Sequence, residues 1–382
     1  MTTFGKPAML SWSKLKVPQG TTSTSEGQDT PKAAESPKNS LVHPNTTVVE
    51  SESAWRREND SPSPSVEELV SDLGASVLGS SNQSLTSSII NYVYENGRRY
   101  HAYQNGKYWL PNDEKEQDRM DMQHHVIFKL VLNDKLFLAP VREPKNILDH
   151  GTGTGIWSIE VGDTYPKAHV MGTDLSPIQP TFVPPNTKYV VDDFSLEWLG
   201  YSTKFDLIHC SLGNAFSARD WKSFLVESYS HLTPGGWVEL KDINIAAMSH
   251  DYSLPQMSAI RIWHGQLLEG AATSKISLQI SPGDLEVLFQ EAGFVNVTIK
   301  EWPLPIGLWP KDPGLKKIGA FQSQVIHDGL EAFSLAIFTR ALGWDLIKIE
   351  KLLEEVREEL NNRSYHWYWP FFVVYGQKPE GR

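Results

Sequence analysis

Residues 145–155, Lys-Asn-Ile-Leu-Asp-His-Gly-Thr-Gly-Thr-Gly, constrain the fold of this chain more than any other stretch. An apolar pair, Ile147-Leu148, leads into a carboxylate, Asp149, and then into glycines at 151, 153 and 155. Ile156-Trp157-Ser158-Ile159-Glu160-Val161 follows and can start a helix. Strand, glycine loop and helix in that order form the first unit of a doubly wound α/β sheet, whose ligands sit at the carboxyl ends of the strands. Glycine there permits positive φ and leaves no Cβ between backbone and ligand. Helix amides just past the turn add partial positive charge.

Nicotinamide and flavin enzymes use glycine loops too, and two details separate the cases. The spacing is Gly-x-Gly-x-Gly, whereas a dinucleotide fingerprint reads Gly-x-Gly-x-x-Gly. Asp149, two residues before the first glycine, would face a pyrophosphate badly and suits a cationic ligand such as a methionine-derived ammonium. The loop therefore favours S-adenosylmethionine over a dinucleotide, with a nicotinamide-binding protein as the weaker reading.

The rest of the chain narrows the classes further. Its 382 residues can bury a sizeable core as one large domain or two small ones. A net charge of −11 leaves no basic footprint for nucleic acid. One cysteine, Cys210, excludes a disulfide framework and fits a reducing compartment. No apolar run approaches the roughly 20 residues of a membrane span. Residues 1–20 carry neither a signal-peptide core nor an arginine-rich presequence, so the expected location is cytoplasmic, with the nucleus as the alternative. No His/Cys/carboxylate cluster has ligand spacing, so no metal is expected. Residues 1–88 are rich in Ser, Thr, Pro, Asn and Glu and read as a disordered low-complexity tail. Residues 89–382 then form the folded domain.

Within that domain, tyrosines 92, 94, 100, 103 and 108 with Trp109 cluster around turn signals and form an aromatic layer able to cover a pocket. Pro111-Asn112-Asp113 opens a helix with a short polar cap, and Met120, His124, Ile127, Phe128 and Val131 give it one apolar face. A second strand, residues 169–174, ends in Asp174, 25 residues after Asp149. A carboxylate there can accept from both ribose hydroxyls. The third strand ends at Asp193-Phe194, an acid and an aromatic suited to adenine's amino group and face. The fourth runs to His209-Cys210 and lacks the Asn/Asp-Pro-Pro-aromatic pattern of base and amide nitrogen methylation. Ser217 can cap the next helix, and Trp237-Val238-Glu239-Leu240 is the fifth strand. A helical insert spans about 254–273. Further helices at about 282–293, 314–341 and 345–361 accompany strands at 294–302 and 371–377.

These segments resemble the fungal LaeA-like (UMTA-type) class I methyltransferases, which use S-adenosylmethionine. The likeness is carried by Glu95-Asn96-Gly97-Arg98-Arg99-Tyr100-His101, by Tyr108-Trp109-Leu110-Pro111-Asn112-Asp113-Glu114 and by residues 148–157. It continues through Gly172-Thr173-Asp174-Leu175-Ser176-Pro177-Ile178-Gln179-Pro180, Pro234-Gly235-Gly236-Trp237-Val238-Glu239 and Phe333-Ser334-Leu335. It covers about residues 90–380 and implies a Rossmann-like α/β fold with a seven-stranded, mostly parallel sheet, a helical insert and C-terminal helices. By the same resemblance the cofactor's methionine end lies near Asp149, Gly151 and Gly153, its ribose at Asp174 and its adenine near Asp193 and Phe194. His150 stands where relatives usually carry an aliphatic residue, and its side chain is expected to point away from the ligand.

A sulfonium is already an activated methyl donor, so the protein mainly aligns a nucleophile and excludes water. A base helps only where an acceptor hydroxyl must lose its proton. His209 and His264 are the catalytic candidates, with Glu239 and Asp242 near the same strand mouth. Tryptophans 263, 302, 309, 344, 367 and 369 are candidates for a flat apolar acceptor site. The expected activity is methylation of an oxygen or nitrogen of a small secondary metabolite, without nucleic acid or membrane as partner. The alternative is a LaeA-like nuclear regulator working with velvet-type proteins.

Overall fold

A computed structural model describes residues 92–104, 106, 108–198, 201–213 and 220–381. The expected tail over residues 1–88 and Ser217 lie outside these residues, and the helix expected to be capped by Ser217 starts at Trp221 with Asp220 as its cap, accepting from the Lys222 and Ser223 amides.

A short hairpin, β1 (Val93–Glu95) and β2 (Arg98–Tyr100), precedes helix α1 (Glu114–His125), which continues as a wider π-helical turn over Val126–Val131. Asp113 caps α1 by accepting from the Glu116 amide, and the Arg98 guanidinium grips the same carboxylate at 2.6 and 2.8 Å. One aspartate thus ends the hairpin loop, starts the helix and ties the two together.

The central sheet contains β3 (Asn146–His150), β4 (His169–Asp174), β5 (Thr187–Val191), β6 (Phe205–Ser211), β7 (Leu232–Ile243), β8 (Val295–Ile306) and β9 (Trp367–Gln377). Their order is β5-β4-β3-β6-β7-β9-β8. The first five run parallel, and β9 inserts antiparallel between β7 and β8. This is the Rossmann-like sheet that the resemblance implies, seven strands and mostly parallel. The order reverses between β3 and β6, which opens a crevice at their carboxyl ends.

Alternate strand residues face opposite sides, and each central strand is apolar on both. Ile147, Leu207, Trp237 and Val373 join one core, while Leu148, Ile208, Val238 and Val374 join the other. The first core takes α1, α2 (Ile156–Thr164), α4 (Ala259–Thr273), α6 (Pro313–Ala336, with a π-helical extension over Ile337–Ala341) and α7 (Leu346–Leu360). The second takes α3 (Trp221–His231) and α5 (Pro282–Glu291).

The insert helix starts at Ala259 rather than near residue 254, because Ser258 supplies the cap by accepting from the Arg261 amide. The last strand starts at Trp367, four residues earlier than its apolar run suggests. Trp367, Tyr368, Trp369 and Pro370 pair with residues 303–306 of β8 and extend the sheet over the strand mouths. Among the described residues, no helix is long and apolar enough to cross a membrane.

Candidate functional site

The crevice at the ends of β3, β4 and β6 is a cavity whose walls come from the glycine loop and the N-terminal helix, and of the expected aromatic layer only Tyr108 lines it. Gly151, Gly153 and Gly155 all have positive φ, at 69°, 58° and 81°. The requirement is strictest at Gly155. A Cβ there would lie 2.4 Å from the Tyr189 hydroxyl, which donates to the Gly155 carbonyl oxygen. Gly155→Ala should cost about 2 kcal/mol or more from the left-handed backbone alone, with the collision added. Urea unfolding would read this as a lower midpoint, and an unchanged midpoint would refute the assignment.

Asp174 at the end of β4 organises the loop. Its Oδ2 accepts from the Gly153 amide and its Oδ1 from the Ser176 amide, both at 2.9 Å. The Leu175 amide also donates to this carboxylate, and since carboxylate oxygens hold two lone pairs each, part of its acceptor capacity is left for a ligand. Burial raises this carboxyl to about 6. Gln179 donates to the Gly153 carbonyl oxygen at 2.6 Å, and Asn112 donates to the Ser176 hydroxyl at 3.1 Å. Phe194 lines the cavity beside Gly151. Asp193 is not among the lining residues, and its Oδ1 accepts from the Ser195 amide and hydroxyl.

Asp149 is buried beneath the loop with most of its acceptor capacity already engaged. Oδ2 takes the Thr152 and Ser158 hydroxyls at 2.7 and 2.9 Å, and Oδ1 faces His209 Nδ1 at 2.7 Å. Burial pushes its pKa up, but the hydrogen bonds, His209 first, hold it below the ordinary carboxylate value. This geometry makes Asp149 an organiser of loop and imidazole, with a single lone pair left for an ammonium.

His209 is fully buried at the end of β6 and stacks flat on the Trp157 indole, 3.7 Å away at 8°. Burial, with the nearby Lys241 ammonium, holds the imidazole below its usual pKa. Nδ1 therefore carries the proton toward Asp149. Nε2 is left as a lone pair that has no partner among the described residues. His209 is one of the residues that line the cavity. Trp157 is in turn fixed by donating Nε1–H to the Leu136 carbonyl oxygen at 2.8 Å. Trp157 was missed as a site residue because its sequence position reads only as helix core.

His264 has a different setting. Its Nδ1 bonds the Ile260 carbonyl oxygen and its Nε2 accepts from the Trp369 indole, both at 2.7 Å. Both nitrogens are engaged, burial lowers its pKa to about 4, and it is not among the lining residues. His264 supports Trp369, the one member of the six candidate tryptophans that reaches the cavity. His264→Ala would leave a buried N–H unpaired and a void behind it. A loss of about 3 kcal/mol in unfolding free energy is expected, with no change in the pH dependence of turnover; a shifted pH profile would contradict this.

Glu239 is sealed below the cavity, accepting from the Leu138 and Ala139 amides. Asp242 points to the other face of β7, its Oδ1 accepting from the Ile243 amide. His150 also faces away from the cavity, as expected. It is buried among Phe194, Trp198 and Phe224, with Nδ1 2.8 Å from the Thr173 hydroxyl oxygen.

The apolar face of α1 covers the crevice. Met120, His124, Ile127 and Phe128 line it together with Arg119 and Gln123. The helix is latched to the glycine loop by Thr154 donating to Asp121 at 2.6 Å and to α2 by a His124–Glu160 contact of 2.9 Å. Tyr108 and Leu110 close the rim, and Phe333 and Trp369 close the far wall. Among the described residues, no group of three His, Cys, Asp or Glu side chains is placed to hold a metal ion.

Residues 122–299 match the family model of a methyltransferase domain. The methyltransferase PytC of Aspergillus terreus is 43% identical over 305 residues, covering 78% of this chain and 92% of that protein. The secondary metabolism regulator LaeA of Aspergillus flavus is 35% identical over 289 residues, covering 75% and 78%. The protein-methionine methyltransferase LaeA of Emericella nidulans is 35% identical over 286 residues, covering 75% and 76%.

Proposed function

The chain belongs to the LaeA-like family of class I S-adenosylmethionine-dependent methyltransferases, and on that premise we infer that it methylates an oxygen or nitrogen of a small secondary metabolite. The observation that carries this reading is the unpartnered Nε2 of His209, buried in the wall of an apolar cavity that is continuous with the glycine loop.

The residues present fit S-adenosylmethionine as the cofactor. Asp174 keeps acceptor capacity for the ribose hydroxyls, Phe194 lies beside Gly151 where adenine would stack, and Gly151 and Gly153 bring backbone close without a Cβ. Asp193 supports this end through the Ser195 turn. Asp149 retains one acceptor position for the methionine ammonium. When bound, the cofactor supplies a methyl group on a sulfonium, which is exchanged for the acceptor's proton and leaves a thioether. His209 Nε2 takes that proton, Asp149 fixes the tautomer and stabilises the imidazolium, and the aromatic walls keep water out. The chain's acidic balance is consistent with a small-molecule acceptor, and a cytoplasmic location is part of this reading.

Asp174 also makes cofactor affinity depend on pH. Its carboxyl is raised to about 6 in the free protein, and hydroxyl donors favour its charged form. The bound state therefore has the lower pKa, and affinity rises with pH up to about 6 and then levels. Calorimetry of S-adenosylhomocysteine at pH 6 in buffers of different ionisation enthalpy should show net proton release; uptake would overturn the assignment.

The relatives named as regulators, alike over three quarters of the chain, support a second reading: a nuclear regulator acting with velvet-type partners. Label transfer separates the two. The protein is incubated with methyl-labelled S-adenosylmethionine and an extract of the source cells. Label in the organic fraction, absent in Asp174→Ala, supports the metabolite enzyme; label in protein alone would favour the regulator.

A further inference from the structure

Strand register lays a charged seam under the acceptor half of the cavity, and the methyl transfer above uses only part of it. Asp149, His209 and Glu239 are register partners on three adjacent strands, and Lys241 pairs with Ser211 two residues nearer the mouth. Residues two apart on a strand share a face, so Glu239, Lys241 and Ile243 point the same way. Lys241 and Ile243 line the cavity. Lys241 is only 3% exposed.

The Lys241 ammonium donates to the Leu136 carbonyl oxygen and lies 3.4 Å from Glu239 Oε1. It also lies 5.7 Å from the centre of the Trp157 ring on which His209 stacks. Burial pulls its pKa down, while Glu239 on its own strand and Asp149 on β3 favour the ammonium. His209 on β6 is the other titratable group facing it. Burying this pair is expensive, and apolar residues of the same volume would serve stability at least as well. An ammonium has three donors. Leu136 takes one, Glu239 Oε1 is an ion-pair contact with no hydrogen bond of its own, and a donor remains for a ligand in the cavity that Lys241 lines.

We propose that Lys241 is the anion-binding group of the acceptor site, and that the acceptor is a flat, apolar molecule whose reacting hydroxyl ionises, a phenol or an enol. This rests on the methyltransferase reading of the same cavity. A fixed ammonium in a dry site stabilises the charge that develops on oxygen as its proton passes to His209. An amine acceptor would gain nothing from it, and a protonated amine would be repelled. Phe128, Phe333 and Trp369 line the cavity and give a flat ring aromatic side chains to pack against.

The test uses 4-nitrophenol, whose two protonation states absorb differently, with protein saturated by S-adenosylhomocysteine. Bound phenol should ionise about one pH unit or more below free phenol. The shift should vanish in Lys241→Met, while calorimetric affinity for S-adenosylhomocysteine stays within about threefold of wild type. Because that variant strands Glu239, a Lys241→Met/Glu239→Gln double variant with a neutral pair provides the second measurement and should lose the shift equally. No bound phenol, an unshifted phenol, or a shift that survives in the double variant overturns the proposal. So does 4-nitroaniline binding as tightly as the phenol at a pH where the phenol is ionised. Wild-type protein that takes up no S-adenosylhomocysteine is a separate result, which removes the cofactor reading and this proposal with it.

Discussion

Replacing Asp174 with alanine should lower the affinity for S-adenosylhomocysteine by about 10²- to 10⁴-fold. The figure follows from two lost hydrogen bonds to a charged group, each contributing about 1.5–3 kcal/mol. The same carboxylate holds the Gly153 and Ser176 amides at 2.9 Å, so its removal also loosens the loop. Asp174→Asn separates these effects. It keeps the volume and one acceptor oxygen but turns an NH₂ toward a backbone N–H or a ribose hydroxyl. An intermediate loss is expected from it. Calorimetry decides the matter, and an alanine variant that binds within about threefold of wild type would remove Asp174 from the cofactor site.

His209→Ala should slow turnover by about 10²- to 10⁴-fold, the usual span for a lost general base, with S-adenosylhomocysteine affinity nearly unchanged. The sign of the pH effect follows from the imidazole's setting. Burial and Lys241 hold it below its ordinary value, so it is neutral and competent at pH 7. Activity should fall only as the pH drops below about 6.5, and the variant should lack this limb. Asp149→Asn offers a second view, because it removes the group that fixes the tautomer while leaving Nε2 in place. Full turnover in His209→Ala, measured as labelled methyl in the organic fraction, would mean an acceptor that reacts without losing a proton to the enzyme.

The difference between His209 and His264 shows where sequence reading stops. Both are histidines in apolar surroundings, and neither neighbourhood in the chain separates them. His209 meets Asp149 because β3 and β6 are paired in register across 60 residues of sequence. His264 loses both nitrogens to the Ile260 carbonyl oxygen and to Trp369, the latter 105 residues away. A base needs a free lone pair, and only long-range packing says which nitrogen has one. Asp193 and Phe194 divide for a related reason. Adjacent residues leave a strand end in different directions, so Phe194 faces the cavity while the Asp193 carboxylate serves the Ser195 turn.

Local chemistry determined the glycine loop, the carboxylates at or beside the ends of β3 and β4, the Asp113 cap of α1 and the order of strand and helix. Each depends on backbone preferences and periodicities within about ten residues of chain, and those are written into the sequence directly. Tertiary structure alone decided the half of the cavity proposed here for the acceptor. The row of Asp149, His209 and Glu239, the Trp157 indole under the imidazole, the Lys241 ammonium and the Trp369 wall are brought together by strand register and by a late β9 inserted between β7 and β8. Register is set by which apolar faces bury best against each other across the whole sheet, a property that no single segment carries.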